Sequence, residues 1–191
     1  PGATIAVTPD VTRAVGELAH AWRRECGPRV VGITGTVGKT TAKDFTAAVL
    51  ANRFNVHSSP GNLNSREGLP LALMSLRRDH QVSVLELAMD STGEIAELAA
   101  IAEPEIGAVL NIGFTHVSKL GSIDAIAAEK LSLVRGLPRT GTALPNADDP
   151  RIAPVAAELG CSVITFGCAE EAALRRGQVT DRGLDGTSFD V

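Results

Sequence analysis

The segment Val30-Val31-Gly32-Ile33-Thr34-Gly35-Thr36-Val37-Gly38-Lys39-Thr40-Thr41 constrains the fold of this chain more than any other. A β-branched run leads into a glycine turn, and the turn leads into a helical pattern. Gly35 and Gly38 permit positive φ and close approach, so the backbone N–H groups from Gly35 through Val37 to Thr41 can curl round phosphate oxygens at a helix N-terminus. In such a loop Lys39 would reach the outer phosphates and the Thr40 hydroxyl would ligate magnesium. The strict form of the motif has glycine where this chain has Ile33. A plain glycine turn with a solvated lysine is the competing reading, and the strand, turn and helix in that order weigh against it.

From Val30 onward, short β-branched runs alternate with helical stretches, which is the pattern of a parallel sheet covered by helices. The expected fold class is therefore α/β. Strands are expected at 30–34, 54–57, 82–87, 106–112, 142–144 and 162–166, and helices at 12–22, 40–51, 67–76, 94–102, 123–137 and 152–159. Residues 177–191, rich in Gly and Asp, suggest a hairpin. Residues 1–28 read as a lead-in segment with a linker helix, and 29–191 as a nucleotide-binding domain that is incomplete at its C-terminal end.

Composition excludes some classes. With a net charge of −4, no basic field exists to hold a nucleic-acid backbone or an anionic membrane surface. Cys26, Cys161 and Cys168 are odd in number and scattered, which disfavours a disulfide framework or a zinc site and suggests reduced thiols. No apolar run approaches the length of a membrane helix, and no secretory signal opens the sequence, so a soluble cytoplasmic protein is expected.

Several polar residues fall where burial would be costly. Glu86 follows Val82, Val84 and Leu85 at the end of an expected strand, where a carboxylate needs a cation or a donor. Lys130 shares a helical stripe with Ile123, Ile126, Ala127 and Val134, so it either lies inward or snorkels to water. In Gly61-Asn62-Leu63-Asn64, which precedes a helix, the two amides of Asn62 and Asn64 could donate to phosphate or to a substrate carboxylate, or cap that helix. In Asn146-Ala147-Asp148-Asp149-Pro150, either aspartate could cap the helix that follows.

The form Thr34-Gly35-Thr36-Val37-Gly38-Lys39-Thr40-Thr41 resembles the nucleotide loop of the Mur ligases and folylpolyglutamate synthetases, which share the departure from the strict motif. The segments at Gly61-Asn62-Leu63-Asn64, Gly68-Leu69-Pro70-Leu71, Glu86-Leu87-Ala88-Met89, Gly93-Glu94-Ile95, Asn111-Ile112-Gly113 with His116, and Asn146 to Pro150 extend the likeness to the Mur ligases over nearly the whole chain. The resemblance implies a P-loop-like central domain with ATP and Mg2+ as cofactors. It also implies Glu86 and His116 as magnesium ligands, and Lys130 as a lysine that is carbamylated and so becomes a further ligand. Lys39, His116 and Lys130 would then serve catalysis. The implied reaction forms an amide through an acyl phosphate, with a UDP-muramyl tripeptide and D-alanyl-D-alanine as partners. Asp90-Ser91 and Ser118 depart from the residues usual in such ligases, which leaves the acceptor peptide open. The resemblance also implies N- and C-terminal domains that this chain has no room for, so the chain alone is not expected to complete ligation. Another amide ligase of this kind, or a nucleotide-driven switch that makes no bond, would share the loop.

Overall fold

The computed structural model describes residue 5, residues 7–115 and residues 117–190. The chain begins with α1 (Val11–Cys26), which the Asp10 side chain caps by accepting from Arg13 N at 3.0 Å and which Gly27 ends in the left-handed region. β1 (Arg29–Thr34) follows, then α2 (Lys39–Leu50), β2 (Val56–Ser58), α3 (Gly68–Leu73), β3 (Val82–Glu86), α4 (Glu94–Ala102) and β4 (Ile106–Val109). A short α5 (Val117–Leu120) precedes α6 (Ile123–Arg135), β5 (Thr142–Pro145), a 3-10 turn at Ala153–Ala157 and β6 (Ser162–Val163). The first six strands make one parallel sheet in the order β2-β3-β1-β4-β5-β6. The expected α/β class and its mostly parallel sheet are thus observed.

β1 is buried at all but its first residue, as a central parallel strand with helices on both sides must be. Val30 and Leu85 face a core built by Ala19 of α1, Leu69 and Leu73 of α3, Ile95 and Leu98 of α4, and Ile126 and Leu133 of α6. Val31, Ile33 and Val84 face the other way, against Ala42, Ala47 and Leu50 of α2. Each of the fully buried leucines and isoleucines contributes about 1.5–3 kcal/mol by leaving water. A third cluster, with Val109, Leu131, Val134, Ala143 and Ile152, closes the β4 to β5 end.

Register carries the strand ends to a common edge. Ile33 lies beside Glu86 and Thr34 beside Val109, so the residues after β1, β3 and β4 emerge together at the C-terminal edge of the sheet. The connection after β1 runs toward β2, and that after β4 toward β5 on the opposite side. Such a reversal opens a crevice at the strand ends where open α/β sheets bind ligands.

Several expected boundaries shift for local reasons. Arg53 and Phe54 still donate to Leu50 O, so β2 starts at Val56. The expected helix 67–76 narrows to Gly68–Leu73, because Ser75 and Leu76 donate three residues back and tighten the last turn. The expected helix 152–159 is a 3-10 turn with Pro at its start. β4 stops at Val109 because Asn111 turns to the loop after β1. The run 162–166 divides into β6 and β7 (Phe166–Gly167), and β7 pairs with β8 (Leu174–Arg175). β9 (Val179–Asp181) and β10 (Thr187–Phe189) pair antiparallel, as the hairpin reading expects. α5 and the β7–β8 pair have no counterpart in the sequence reading.

Candidate nucleotide and cation site

The loop after β1 turns into α2 through Gly38, which holds φ +81° at the helix start. Gly35 does not have positive φ, contrary to expectation. Its need is space, since a Cβ there would come within 3.0 Å of Leu110 Cβ. Asn111, carried on the adjoining strand end, holds the loop in shape. Its Oδ1 accepts from Thr36 N and Val37 N, each at 3.0 Å, and its Nδ2 donates to Val37 O at 3.0 Å. Thr36 Oγ1 in turn accepts from Gly113 N at 2.8 Å. The first N–H groups of α2, with no partner inside the helix, remain as the donors at the mouth of the loop.

Two residues from other elements meet this loop. Glu86 ends β3 and is 3% exposed. Its Oε2 accepts from Thr40 Oγ1 at 2.7 Å and its Oε1 from Asn64 Nδ2 at 2.7 Å. Lys130 is 2% exposed on α6 and donates from Nζ to Gly35 O at 3.0 Å, so the inward reading holds and the snorkelling one does not. Lys39 Nζ donates to Thr36 O at 3.1 Å within its own loop. Burial, and secondarily the charge of Lys39, pushes the Lys130 amine down from 10.5 to about 8, against the opposing pull of Glu129. The structure therefore brings Lys39, Thr40, Glu86 and Lys130 to one edge, with Gly35, Thr36, Val37 and Gly38 as the loop between them. Asn62 is exposed, while Asn64, two residues on, makes the contact with Glu86. Thr41 is exposed in the first turn of α2. His116 lies outside the described residues.

Other contacts were not foreseen. Glu129, 6% exposed, accepts at 2.7 Å from Gly93 N and at 2.7 Å from Ile95 N, and so caps α4 from α6 beside Lys130. Asp149 Oδ2 accepts from Ile112 N at 2.7 Å, and Asp148 accepts from Cys168 N and Ala169 N. Neither aspartate points to the loop; both tie connections together, and these bonds hold the Asp148 carboxyl below its ordinary range. Only their place in a strand-to-helix run was available as a signal.

The donors suit a hard divalent cation. A hydroxyl and a carboxylate stand together beside a glycine loop at a helix N-terminus, and magnesium takes few protein oxygens, with phosphate and water completing its shell. Among the described residues no group of three His, Cys, Asp or Glu side chains is arranged to hold a metal unaided. Among those residues, no helix is long and apolar enough to cross a membrane.

Fold and loop together are those of an α/β domain of the P-loop kind, with the loop at the strand ends. Residues 33–191 match the family model described as Mur ligase middle domain, and the chain belongs to that family. It is 34% identical over 187 residues, 98% of this chain, to the UDP-N-acetylmuramoyl-tripeptide--D-alanyl-D-alanine ligase of Bacillus subtilis strain 168. Among solved structures it resembles MurF from Acinetobacter baumannii, with TM-score 0.86 and 28% identity over 96% of this chain and 42% of that one. It also resembles MurF ligase from Thermotoga maritima in complex with ADP, with TM-score 0.86 and 25% identity over 98% of this chain and 47% of that one. The chain spans 40% of the length of the Bacillus subtilis protein.

Proposed function

We propose that this chain is the nucleotide-binding part of an ATP-dependent ligase that joins a carboxylate to an amine through an acyl phosphate. The meeting of Thr40, Asn64 and Glu86 at the mouth of the phosphate loop carries the reading, because it combines a phosphate cradle with a buried carboxylate aimed at the same edge. The acceptor is taken to be a UDP-muramyl tripeptide and the amine D-alanyl-D-alanine, the pair named in the Bacillus subtilis relative. ATP use is supported by the ADP complex of the Thermotoga maritima relative.

Each residue then has a task. The α2 N-terminus and the loop backbone bind the phosphates, and Lys39 swings from Thr36 O to the outer phosphate. Thr40 and Glu86 would hold Mg2+, with Lys130 as its carbamate and His116 as further ligands; the ion supplies neutralisation of charge on the transferring phosphoryl group. Asn62, which is exposed, is assigned in this reading to donate to phosphate or to the acceptor carboxylate. A carboxylate oxygen attacks the terminal phosphorus, the bond to the bridging oxygen breaks, and ADP leaves. The amine then attacks the acyl carbon, phosphate departs, and the amine gives up a proton to solvent. Anionic reactants repel one another, so positioning and fixed cations carry most of the rate.

We further propose residues 1–28 as a lead-in and 29–191 as part of the central domain, with other parts of the ligase closing over the amine and the uridine nucleotide. The isolated chain would then form no amide. Phosphate release by the full-length ligase, with acceptor and amine added singly and together, tests the reading. Release that requires the acceptor, and amide that requires both, supports it. Release indifferent to both would instead indicate a nucleotide-driven switch.

A further inference from the structure

α2 carries two lysines one turn apart, and only Lys39 belongs to the phosphate loop. Lys43 is 2% exposed. Its ammonium donates to Ser59 O at 2.6 Å and to Gly61 O at 3.5 Å, and pairs with Asp44 Oδ1 at 3.2 Å. A buried ammonium is costly to desolvate, and an apolar side chain would pack at this position with less penalty. Packing alone therefore does not account for a lysine here.

The two carbonyls lie in the connection that leaves β2 and carries Asn64. That connection is tied to β3 through Ser59 N to Val84 O at 3.2 Å, and to the residues after β3 through Ala88 N to Asn64 O at 2.9 Å. Its described hydrogen bonds to α2 both come from Lys43. Asn64 and Thr40 hold the two oxygens of Glu86, and Thr40 and Lys43, three residues apart, share a face of α2. The contacts close a ring from Lys43 through the 59–64 connection to Asn64, Glu86, Thr40 and back to α2.

We infer that Lys43 is a positioning residue for the cation site, fixing the gap between α2 and the 59–64 connection so that Thr40 and Asn64 hold the Glu86 carboxylate toward the phosphates. The inference rests on the proposed role of Glu86. It concerns a residue outside the loop, acting through Asn64 rather than on any reactant.

Calorimetric titration of the full-length ligase with ADP, with and without magnesium, tests it, because the ratio of the two affinities reports the cation site and needs no turnover. In the wild type, magnesium is expected to strengthen ADP binding about tenfold. Lys43→Met is expected to cut that strengthening to about twofold or less, while changing the magnesium-free affinity by less than about twofold. Lys43→Gln, which removes the charge and is too short to reach both carbonyls as the lysine does, is read in the same way should Lys43→Met not fold. The double variant Lys43→Met/Asn64→Ala should lose no more strengthening than Asn64→Ala alone, since both changes act through one path. A wild-type ratio in the Lys43 variant, an equal loss with and without magnesium, or additive losses in the double variant would each overturn the inference. Absence of any strengthening in the wild type would overturn the cation reading itself, and the inference with it.

Discussion

Thr40 Oγ1 donates to Glu86 Oε2 at 2.7 Å across 46 residues of sequence. The register of β1 and β3, with Ile33 beside Glu86, makes that contact possible, because it brings the end of one strand against the helix that follows the other. A hydroxyl that the loop motif assigns to a cation and a carboxylate that the sheet buries thus become one donor pair.

Glu86→Gln keeps the side-chain shape and removes the charge. Full-length ligase carrying it is expected to lose about 100-fold in kcat, with far-ultraviolet circular dichroism unchanged. Amide formation measured across a magnesium titration checks this, and a kcat within about threefold of wild type would contradict the proposed role.

Lys130 is expected to take up carbon dioxide. Lowering the amine from 10.5 to about 8 raises its neutral, reactive fraction at neutral pH roughly 300-fold. Carbon-13 NMR of the full ligase in labelled bicarbonate should show one carbamate resonance that Lys130→Met lacks. Identical spectra from the two proteins would rule out the modification at this residue.

Glu129→Ala removes two charge-assisted bonds and leaves the N–H groups of Gly93 and Ile95 without their acceptor. Urea denaturation should register a loss of about 3 kcal/mol. An unchanged unfolding midpoint would show that the α4 cap contributes little.

His57 gives an acid-sensitive signature. Burial, reinforced by His80 and by the Arg77 charge, pushes its imidazole from 6.5 down to about 4, while its ring nitrogens meet Ser83 Oγ, Ala72 O and Ser75 Oγ. The unfolded chain binds a proton at 6.5 that the folded chain refuses until about 4. Stability from this site is therefore full above the unfolded value and falls as pH drops through that window, by up to about 3 kcal/mol. Denaturation of wild type and His57→Gln at about pH 7 and about pH 4 should show a smaller acid loss in the variant. Equal losses would place the acid sensitivity elsewhere.

Much of this arrangement was legible in the sequence. The order of Val30 to Thr34, Gly38 and α2 is explicit in the chain, and the stripe that Lys130 shares with Ile126 and Val134 leaves it either inward or snorkelling, a choice the fold makes. Glu86 stood out as a charge closing an apolar run. What could not be read were pairings set by strand register and by helices meeting across the fold. Nothing local shows that Asn64 rather than Asn62 reaches Glu86, that Asn111 braces the loop after β1, or that Glu129 serves the backbone of α4. Lys43 carries no distinguishing mark in the sequence, because the partners that tie it to the 59–64 connection are backbone carbonyls, which sequence does not display. The short elements misjudged near Pro154 and Ser75 reflect local hydrogen bonds three residues back, which hydrophobic spacing cannot distinguish from a helix.

The most direct test follows one oxygen atom. Full-length ligase is supplied with an acceptor whose terminal carboxylate carries oxygen-18, together with ATP, magnesium and the amine, and the released phosphate is analysed by mass spectrometry. If the acceptor carboxylate attacks the terminal phosphorus at the edge shared by Lys39, Thr40, Glu86 and Lys130, each phosphate formed with an amide carries one labelled oxygen. Phosphate free of label, with amide still formed, would contradict the acyl phosphate route and the function drawn from this site.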